Sequence, residues 1–181
     1  MNKKEILFWG KRYDKEEDLY NKGLEEKLRR KFQKSNLITK SDLVRIVKWK
    51  FQGRLLGRQK LILDHVNKNR ESAIEENSKL AFESNCDKTR LKLLSSPNIK
   101  GVGNALSSVI LTFYDPQNYG VLDIHAWRAL FGKEPKDLFS NHKKAIKFFN
   151  VLREISLNTG LSCRDIEKAL FKKDLEKQRS R

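Results

Sequence analysis

The chain has 181 residues, with 39 Lys and Arg against 23 Asp and Glu, and carries a formal charge of +16 at pH 7. Its 38% hydrophobic fraction includes 10 Phe, 3 Trp and 4 Tyr, enough to build a core, so the 34% charged content does not make the chain disordered. No apolar run approaches the roughly 18 residues of a membrane span. The chain has 2 Cys, Cys86 and Cys163, without C-x-x-C spacing, so a zinc or iron–sulfur site cannot be assembled from thiolates alone.

The excess positive charge favours a polyanionic partner, because Lys and Arg that neutralise phosphates release bound counterions. Excess charge kept only for solubility is the alternative. The N-terminus lacks a cleavage-site pattern, which disfavours secretion. We therefore expect a nucleic acid partner, no membrane partner, and a cytoplasmic or nucleoid-associated location in a reducing cell interior.

The spacing of apolar residues predicts an all-α fold. Hydrophobic side chains recur at three and four positions, alternating β-type runs are nearly absent, and the chain has only 3 Pro. We expect one compact helical domain over residues 1–181, as a monomer. The predicted helices cover about 15–34, 39–53 (ended by Gly53), 56–66, 72–82, 88–94, 104–114, 123–131, 136–157 and 162–178.

The most informative stretch is a turn with two glycines, Gly101 and Gly103, between two of these helices. Glycine permits backbone angles and close approaches that a side chain blocks, and Val102 between them can turn into the core. The amides of residues 101–104, at the start of the next helix, would then form an anion site for one phosphate. An ordinary helix–turn–helix corner is the alternative.

A second motif, Asp123-Ile124-His125-Ala126-Trp127-Arg128, follows this turn. The pair of motifs, in this order and at this distance, resembles the helix-hairpin-helix (HhH-GPD) superfamily of DNA repair enzymes, which includes endonuclease III and adenine glycosylase. The resemblance covers roughly residues 91–132. It implies a helix-hairpin-helix over about 88–114, an Asp-bearing helix over 123–131, C-terminal helices over 136–178, and duplex DNA with a lesion or mismatch as the partner.

The resemblance also implies roles for individual residues. Asp123 takes the place of the catalytic carboxylate, which stabilises the oxocarbenium-like sugar as the base departs, although Asp is also a common helix cap. The implied DNA contacts are Lys100, Gly101, Val102, Gly103, Asn104, Ser107 and Arg128. For Arg128, bracing of the domain is the alternative.

The departures from the family pattern narrow the implied chemistry. Ala105 replaces the lysine that forms a Schiff base in lyases, which favours a monofunctional N-glycosylase. Lys100 stands where a proline is common. The four-cysteine cluster of endonuclease III is missing, so the resemblance implies no iron–sulfur cofactor, and we expect no cofactor or metal.

Aromatic and basic residues alternate in Lys48-Trp49-Lys50-Phe51, with Arg54 and Arg58 close behind. Such interleaving can stack a flipped base and hold its flanking phosphates. Trp49 and Lys50 are therefore candidate base-pocket residues, with a core position for Trp49 as the alternative. The resemblance adds His125, which matches the family pattern, as a third candidate, with a structural role as the alternative. A non-catalytic DNA-binding module, or a basic RNA-associated protein, remains an alternative function.

Overall fold

The computed structural model describes residues 1–17, 19–51, 56–133 and 135–180, and this part of the chain is helical without strands. The predicted all-α fold class is therefore confirmed. The helices are α1 (Lys3–Glu16), α2 (Leu19–Ser35), α3 (Lys40–Phe51), α4 (Leu56–Asn67), α5 (Glu71–Glu83), α6 (Asp87–Leu94), α7 (Asn104–Tyr114), α8 (Ile124–Phe131), α9 (His142–Thr159) and α10 (Cys163–Arg179).

Two helix starts that were predicted from capping patterns agree with the structure. The Thr39 amide donates to Asp42 Oδ2 at 3.0 Å, and the Asp42 amide donates to Thr39 Oγ1 at 3.3 Å, so the pair forms a reciprocal capping box ahead of α3. Ser162 Oγ accepts from the Asp165 amide at 3.1 Å and caps α10. The predicted end of α3 at Gly53 lies outside the described residues.

One helix was missed, and the start of another was predicted wrongly. The sequence interpretation missed α1, because Leu7 and Phe8 of its apolar patch are exposed and only Ile6 is fully buried, which leaves almost no periodic signal. The helix predicted from residue 136 begins instead at His142, because the Asn141 side chain caps it by accepting from the Lys143 amide at 3.0 Å.

The core is built around α7, whose side chains are almost all buried. This helix packs against α2, α3, α6 and α9, whereas α10 contacts α1, α8 and α9. Aromatic pairs fill the contacts: Trp49 meets Phe113 edge to face at 4.9 Å, and Phe82 stacks on Tyr114 at 3.9 Å. The two glycines therefore begin the most buried helix of the domain.

Among the described residues, no helix combines the length and the apolar character that crossing a bilayer requires.

Candidate functional site

The turn before α7 packs tightly on α4. Gly101 has a φ of +84°, in the region that favours glycine, and a Cβ atom there would lie 3.0 Å from both the Ile62 carbonyl oxygen and the His65 Cβ. Val102 is buried, as its predicted core role requires. Gly101 is therefore required by its backbone angles and by its contact with α4.

Asn69, a residue that the sequence interpretation missed, anchors this turn. Its Oδ1 accepts from the Lys100 amide at 2.8 Å, while its Nδ2 donates to the Lys100 carbonyl at 3.0 Å and to the Val66 carbonyl at 2.9 Å. The side chain is almost fully buried. One amide group thus fixes the turn against the end of α4, an arrangement that no local sequence pattern indicates.

The predicted anion site is smaller than expected. The Val102 amide donates to the Ile99 carbonyl at 3.2 Å, and the Asn104 amide donates to the Phe139 carbonyl at 3.1 Å. Two of the four amides in residues 101–104 therefore have acceptors within the protein. Lys100 and Gly103 are exposed and remain the predicted phosphate contacts at the surface.

Two other predicted DNA contacts are corrected by their burial. Ser107 is fully buried, and its hydroxyl donates to the Leu94 carbonyl at 3.4 Å across the helix pair. The Asn104 side chain is also buried, with its Oδ1 2.6 Å from His142 Nδ1. Both side chains hold α7 against its neighbours, so neither can reach DNA from this position.

The contrast between the two glycines gives a test of the turn. We expect Gly101→Ala to cost about 1–3 kcal/mol of stability, because of its positive φ. Gly103→Ala is the matched control, since its φ is −117° and its Cβ would lie an ordinary 3.4 Å from the Phe139 carbonyl. Thermal melts would measure the stability of both variants, and equal losses of stability would contradict this difference between the two glycines.

The chain between α7 and Asp123 ends in a buried stretch, residues 119–122. The Leu122 amide donates to Ser108 Oγ on α7 at 2.8 Å. Gly120 passes between α9 and α10 so closely that a Cβ would lie 2.6 Å from Leu152 Cδ1 and 2.8 Å from Glu167 Cβ. The glycine turn begins α7, and Ser108 of α7 binds the residue before Asp123. The position of Asp123 therefore depends on the glycine turn.

Asp123 contacts both the helix that it begins and a lysine from α3. Its Oδ1 accepts from the His125 amide at 2.9 Å, so it caps α8, as the capping alternative requires. Its Oδ2 lies 3.2 Å from Lys50 Nζ. Burial opposes ionisation, but the Lys50 ammonium and the His125 amide outweigh it and hold the pKa of Asp123 below its ordinary value.

Asp123 and Lys50 open into a cleft of about 250 Å³, here called the Asp123 cleft. Its walls come from the end of α1, the end of α3, the segment before α8, and α10. The lining residues are Tyr13, Glu16, Glu17, Trp49, Lys50, Phe51, Val121, Asp123, Arg164, Glu167, Phe171, Lys172, Leu175 and Arg179. The glycine turn does not line it. Its lining has four acidic and four basic side chains, so their formal charges cancel, whereas the chain as a whole has a formal charge of +16.

Arg164 organises the floor of the Asp123 cleft. Its guanidinium contacts the carboxylates of Glu25 on α2, at 2.8 Å, and of Glu167 one turn along α10. The same group lies over the Trp49 ring, 5.5 Å from its centroid. Burial raises the pKa of Glu167 in spite of the bond to Arg164, so the pKa values of two of the four cleft carboxyls, Asp123 and Glu167, are shifted in opposite directions.

Trp49 combines two of the predicted roles. Its side chain is buried against Phe113, as the core alternative requires, and it also lines the Asp123 cleft. The structure therefore brings together Asp123, Trp49 and Lys50, which the sequence singled out from two distant segments.

His125 and Arg128 lie outside the lining of the Asp123 cleft. His125 Nδ1 is 2.8 Å from Asp174 Oδ2, and Arg128 Nη2 is 2.9 Å from the same oxygen. His125 joins α8 to α10, as its structural alternative requires, and it does not line the Asp123 cleft with Trp49 and Lys50. Its place in a base pocket stays a prediction. Arg128 likewise braces α8 against α10, as its alternative interpretation requires, and a phosphate contact from it stays a prediction.

No protein-family model, curated protein or solved structure matches this chain. The resemblance to the helix-hairpin-helix glycosylases therefore stays a prediction that depends on the motifs within residues 91–132.

Proposed function

We propose that this protein binds duplex DNA and hydrolyses the N-glycosidic bond of a base that is extruded into the Asp123 cleft. The observation that carries the proposal is the placement of Asp123, a carboxylate held ionised beside Lys50 in a small cleft with aromatic walls. The volume of about 250 Å³ is slightly below the ~300–1,000 Å³ of sites for drug-sized ligands, which suits a single heterocyclic base.

The chemistry follows from a negative charge at a fixed point. As the bond between sugar C1′ and the base nitrogen breaks, its electron pair leaves with the base and positive charge develops on the sugar. The Asp123 carboxylate would stabilise that charge and orient a water, whose oxygen bonds to C1′ while its proton passes to the departing base. Lys50 keeps this carboxylate ionised and fixes its orientation.

DNA would be held mainly by charge. Lys100 and Gly103 at the turn are exposed, and the whole chain has a formal charge of +16. If about five to eight phosphates are neutralised, affinity for duplex should fall about a thousandfold between low and physiological salt. Fluorescence anisotropy across a salt series measures this slope, and an affinity independent of salt would contradict duplex binding through the backbone.

The lowered pKa of Asp123 sets an expected pH profile. A carboxyl with a depressed pKa stays ionised until the pH falls through that value, so the rate of base release should be maintained until the pH falls below the ordinary range of an aspartate carboxyl. Lys50→Met removes the cation, raises the pKa, and should move the acid limb to higher pH.

Single-turnover rates as a function of pH measure the position of this limb. Lys48→Met is the matched control, because Lys48 is an exposed neighbour on the same helix and does not line the Asp123 cleft. An acid limb at the same pH in Lys50→Met and wild type would contradict the pairing with Asp123.

The proposal is tested by incubating the protein with duplexes that carry uracil, hypoxanthine, alkylated or oxidised bases, followed by alkali to cleave abasic strands. Strand cleavage on at least one lesion is the expected result. The second candidate, a non-catalytic DNA-binding module, is favoured by the capping bond from the His125 amide to Asp123. It predicts salt-sensitive binding with no cleavage on any lesion.

A further inference from the structure

One side of α1 is left uncovered by the rest of the domain. Leu7 and Phe8 on this side are 45% and 53% exposed, although both side chains are large and apolar. Single exposed apolar side chains are ordinary, whereas two adjacent ones form a patch that needs an explanation. Exposed residues recur here at intervals of three and four and so share one side of the helix, here called the α1 outer face: Lys4, Leu7, Phe8, Lys11 and Lys15.

Charges of opposite sign lie on opposite sides of α1. Its acidic side chains pair with α10: Glu5 lies 2.6 Å from Lys173 Nζ, and Asp14 lies 3.1 Å from Lys168 Nζ. By contrast, the three lysines of the α1 outer face pair with no carboxylate among the described residues. The α1 outer face therefore offers unpaired positive charge beside apolar surface, which complements a partner that is acidic and also has apolar surface.

Phe8 is held in place on this face. The Trp9 ring, which packs against the core, meets the Phe8 ring edge to face with the centroids 5.1 Å apart. The Arg12 guanidinium lies 5.7 Å from the Phe8 centroid. Lys4 lies one turn before Phe8 and Lys11 one turn after it. A half-exposed aromatic ring is thus surrounded by cations along the helix.

From this arrangement we infer that the α1 outer face binds single-stranded nucleic acid, with a base stacked against Phe8 and backbone phosphates on the three lysines. Aromatic side chains that stack bases, set among cations that hold phosphates, are the usual means of binding a single strand. In a duplex the base faces are already stacked on one another, so Phe8 finds no face to cover. The inference goes beyond the proposed function and does not depend on it, since no residue of the α1 outer face lines the Asp123 cleft.

Other acidic partners fit this face less well. A helix that lies in a membrane surface presents a large apolar side to the bilayer, whereas lysines interrupt the apolar side chains here. A stable protein partner is held by about 20–30 residues on each side, more than one face of this 14-residue helix provides. A single strand requires only a stacking side chain and a row of cations, and the α1 outer face has both.

Fluorescence anisotropy with a labelled oligothymidylate of about ten nucleotides tests the inference in the intact protein. An oligouridylate measured in parallel distinguishes RNA from DNA as the source of the same chemistry. Phe8→Ala and Phe8→Leu should each bind about tenfold more weakly than wild type, because both lose the ring that stacks on a base. Leu80→Ala is the matched control, since Leu80 is 54% exposed on another helix, α5, and it should bind like wild type.

A lysine variant tests the phosphate contacts separately. Lys11→Met should reduce the slope of log affinity against log salt concentration by about 0.7, the effect of losing one phosphate contact on a single strand. Lys79→Met is the matched control, because it removes an exposed lysine from α5, and it should keep the wild-type slope. Equal slopes in Lys11→Met and Lys79→Met would contradict the phosphate contacts of the α1 outer face.

The failure of this inference is distinguishable from that of the proposed function. Affinity for single strands that is absent in wild type, or unchanged in either Phe8 variant, would overturn the inference even if the protein releases bases from duplex DNA. Binding to vesicles of phosphatidylglycerol and phosphatidylcholine that requires Phe8, without binding of either oligonucleotide, would overturn it in favour of a membrane surface. Single-strand binding that requires Phe8, together with intact strands on every lesion, would uphold the inference and overturn glycosylase activity.

Discussion

Replacement of Arg164 with methionine is expected to lower the free energy of unfolding by about 3–5 kcal/mol. The guanidinium is 5% exposed and contacts two carboxylates that are themselves nearly buried, Glu25 and Glu167. Methionine fills a similar volume but leaves both carboxylates without their cation. Urea denaturation followed by circular dichroism measures the loss, and a fall in Tm of about 10 °C is expected for a chain of this length.

Arg12→Met provides the matched control for Arg164→Met. Arg12 also pairs with a glutamate on α10, Glu176, but its side chain is 48% exposed, so solvent screens the interaction and the stability should stay close to that of wild type. Equal destabilisation by the two substitutions would contradict the view that the Arg164 network holds α10 against α2 and α3.

Asp123→Asn is expected to slow base release by about 10²–10³-fold, the usual cost of losing one preorganised electrostatic contact in an active site. Asparagine is as good a helix cap as aspartate, so α8 and the affinity for duplex DNA should both be kept. Single-turnover kinetics on the most reactive lesion, with anisotropy on the same duplex, separates the chemical step from binding.

Asp115→Asn is the control that matches Asp123→Asn in charge. Asp115 lies at the C-terminal end of α7 and does not line the Asp123 cleft, and its side-chain oxygens accept from Asn118, a role that an asparagine oxygen can share. Its rate should equal that of wild type. A similar loss of rate in both variants would show that the effect comes from the change in net charge and not from the site.

The features that could be predicted from the sequence are local ones. The reciprocal bonds of Thr39 and Asp42 involve residues three apart, so their identities alone indicate a helix start. The two glycines before α7 are equally local, because a positive φ at Gly101 is a property of the backbone at that residue. The same holds for Asp123 as the cap of α8.

The rest of the site depends on contacts between distant segments. Glu17 and Arg164 come from opposite ends of the chain, and only the packing of α1 on α10 brings them to one cleft. The sequence gives no sign of this, since α1 is polar over most of its surface and its apolar side chains are largely exposed. Arg128, which was predicted to bind phosphate, shows the same dependence on distant segments, because it pairs with Asp174 on another helix.

The charge of the whole chain can be read from the sequence, whereas the charge of the Asp123 cleft cannot. A formal charge of +16 predicts a polyanionic partner for the surface, whereas it does not predict a cleft in which acidic and basic side chains are equal in number. That balance arises from ion pairs between helices, such as Lys50 with Asp123 and Arg164 with Glu25. Chemistry is therefore expected where the protein is locally neutral, and DNA binding where it is positive.

The central claim, hydrolysis of a base at Asp123, is tested most directly by mass-spectrometric detection of the free base after incubation with a lesion-bearing duplex. We predict that the wild-type protein releases a free base and leaves an equal amount of abasic strand, and that Asp123→Asn, bound to the same duplex with equal affinity, releases almost none. Base release undiminished in Asp123→Asn, or intact strands on every lesion despite tight binding, would contradict the account.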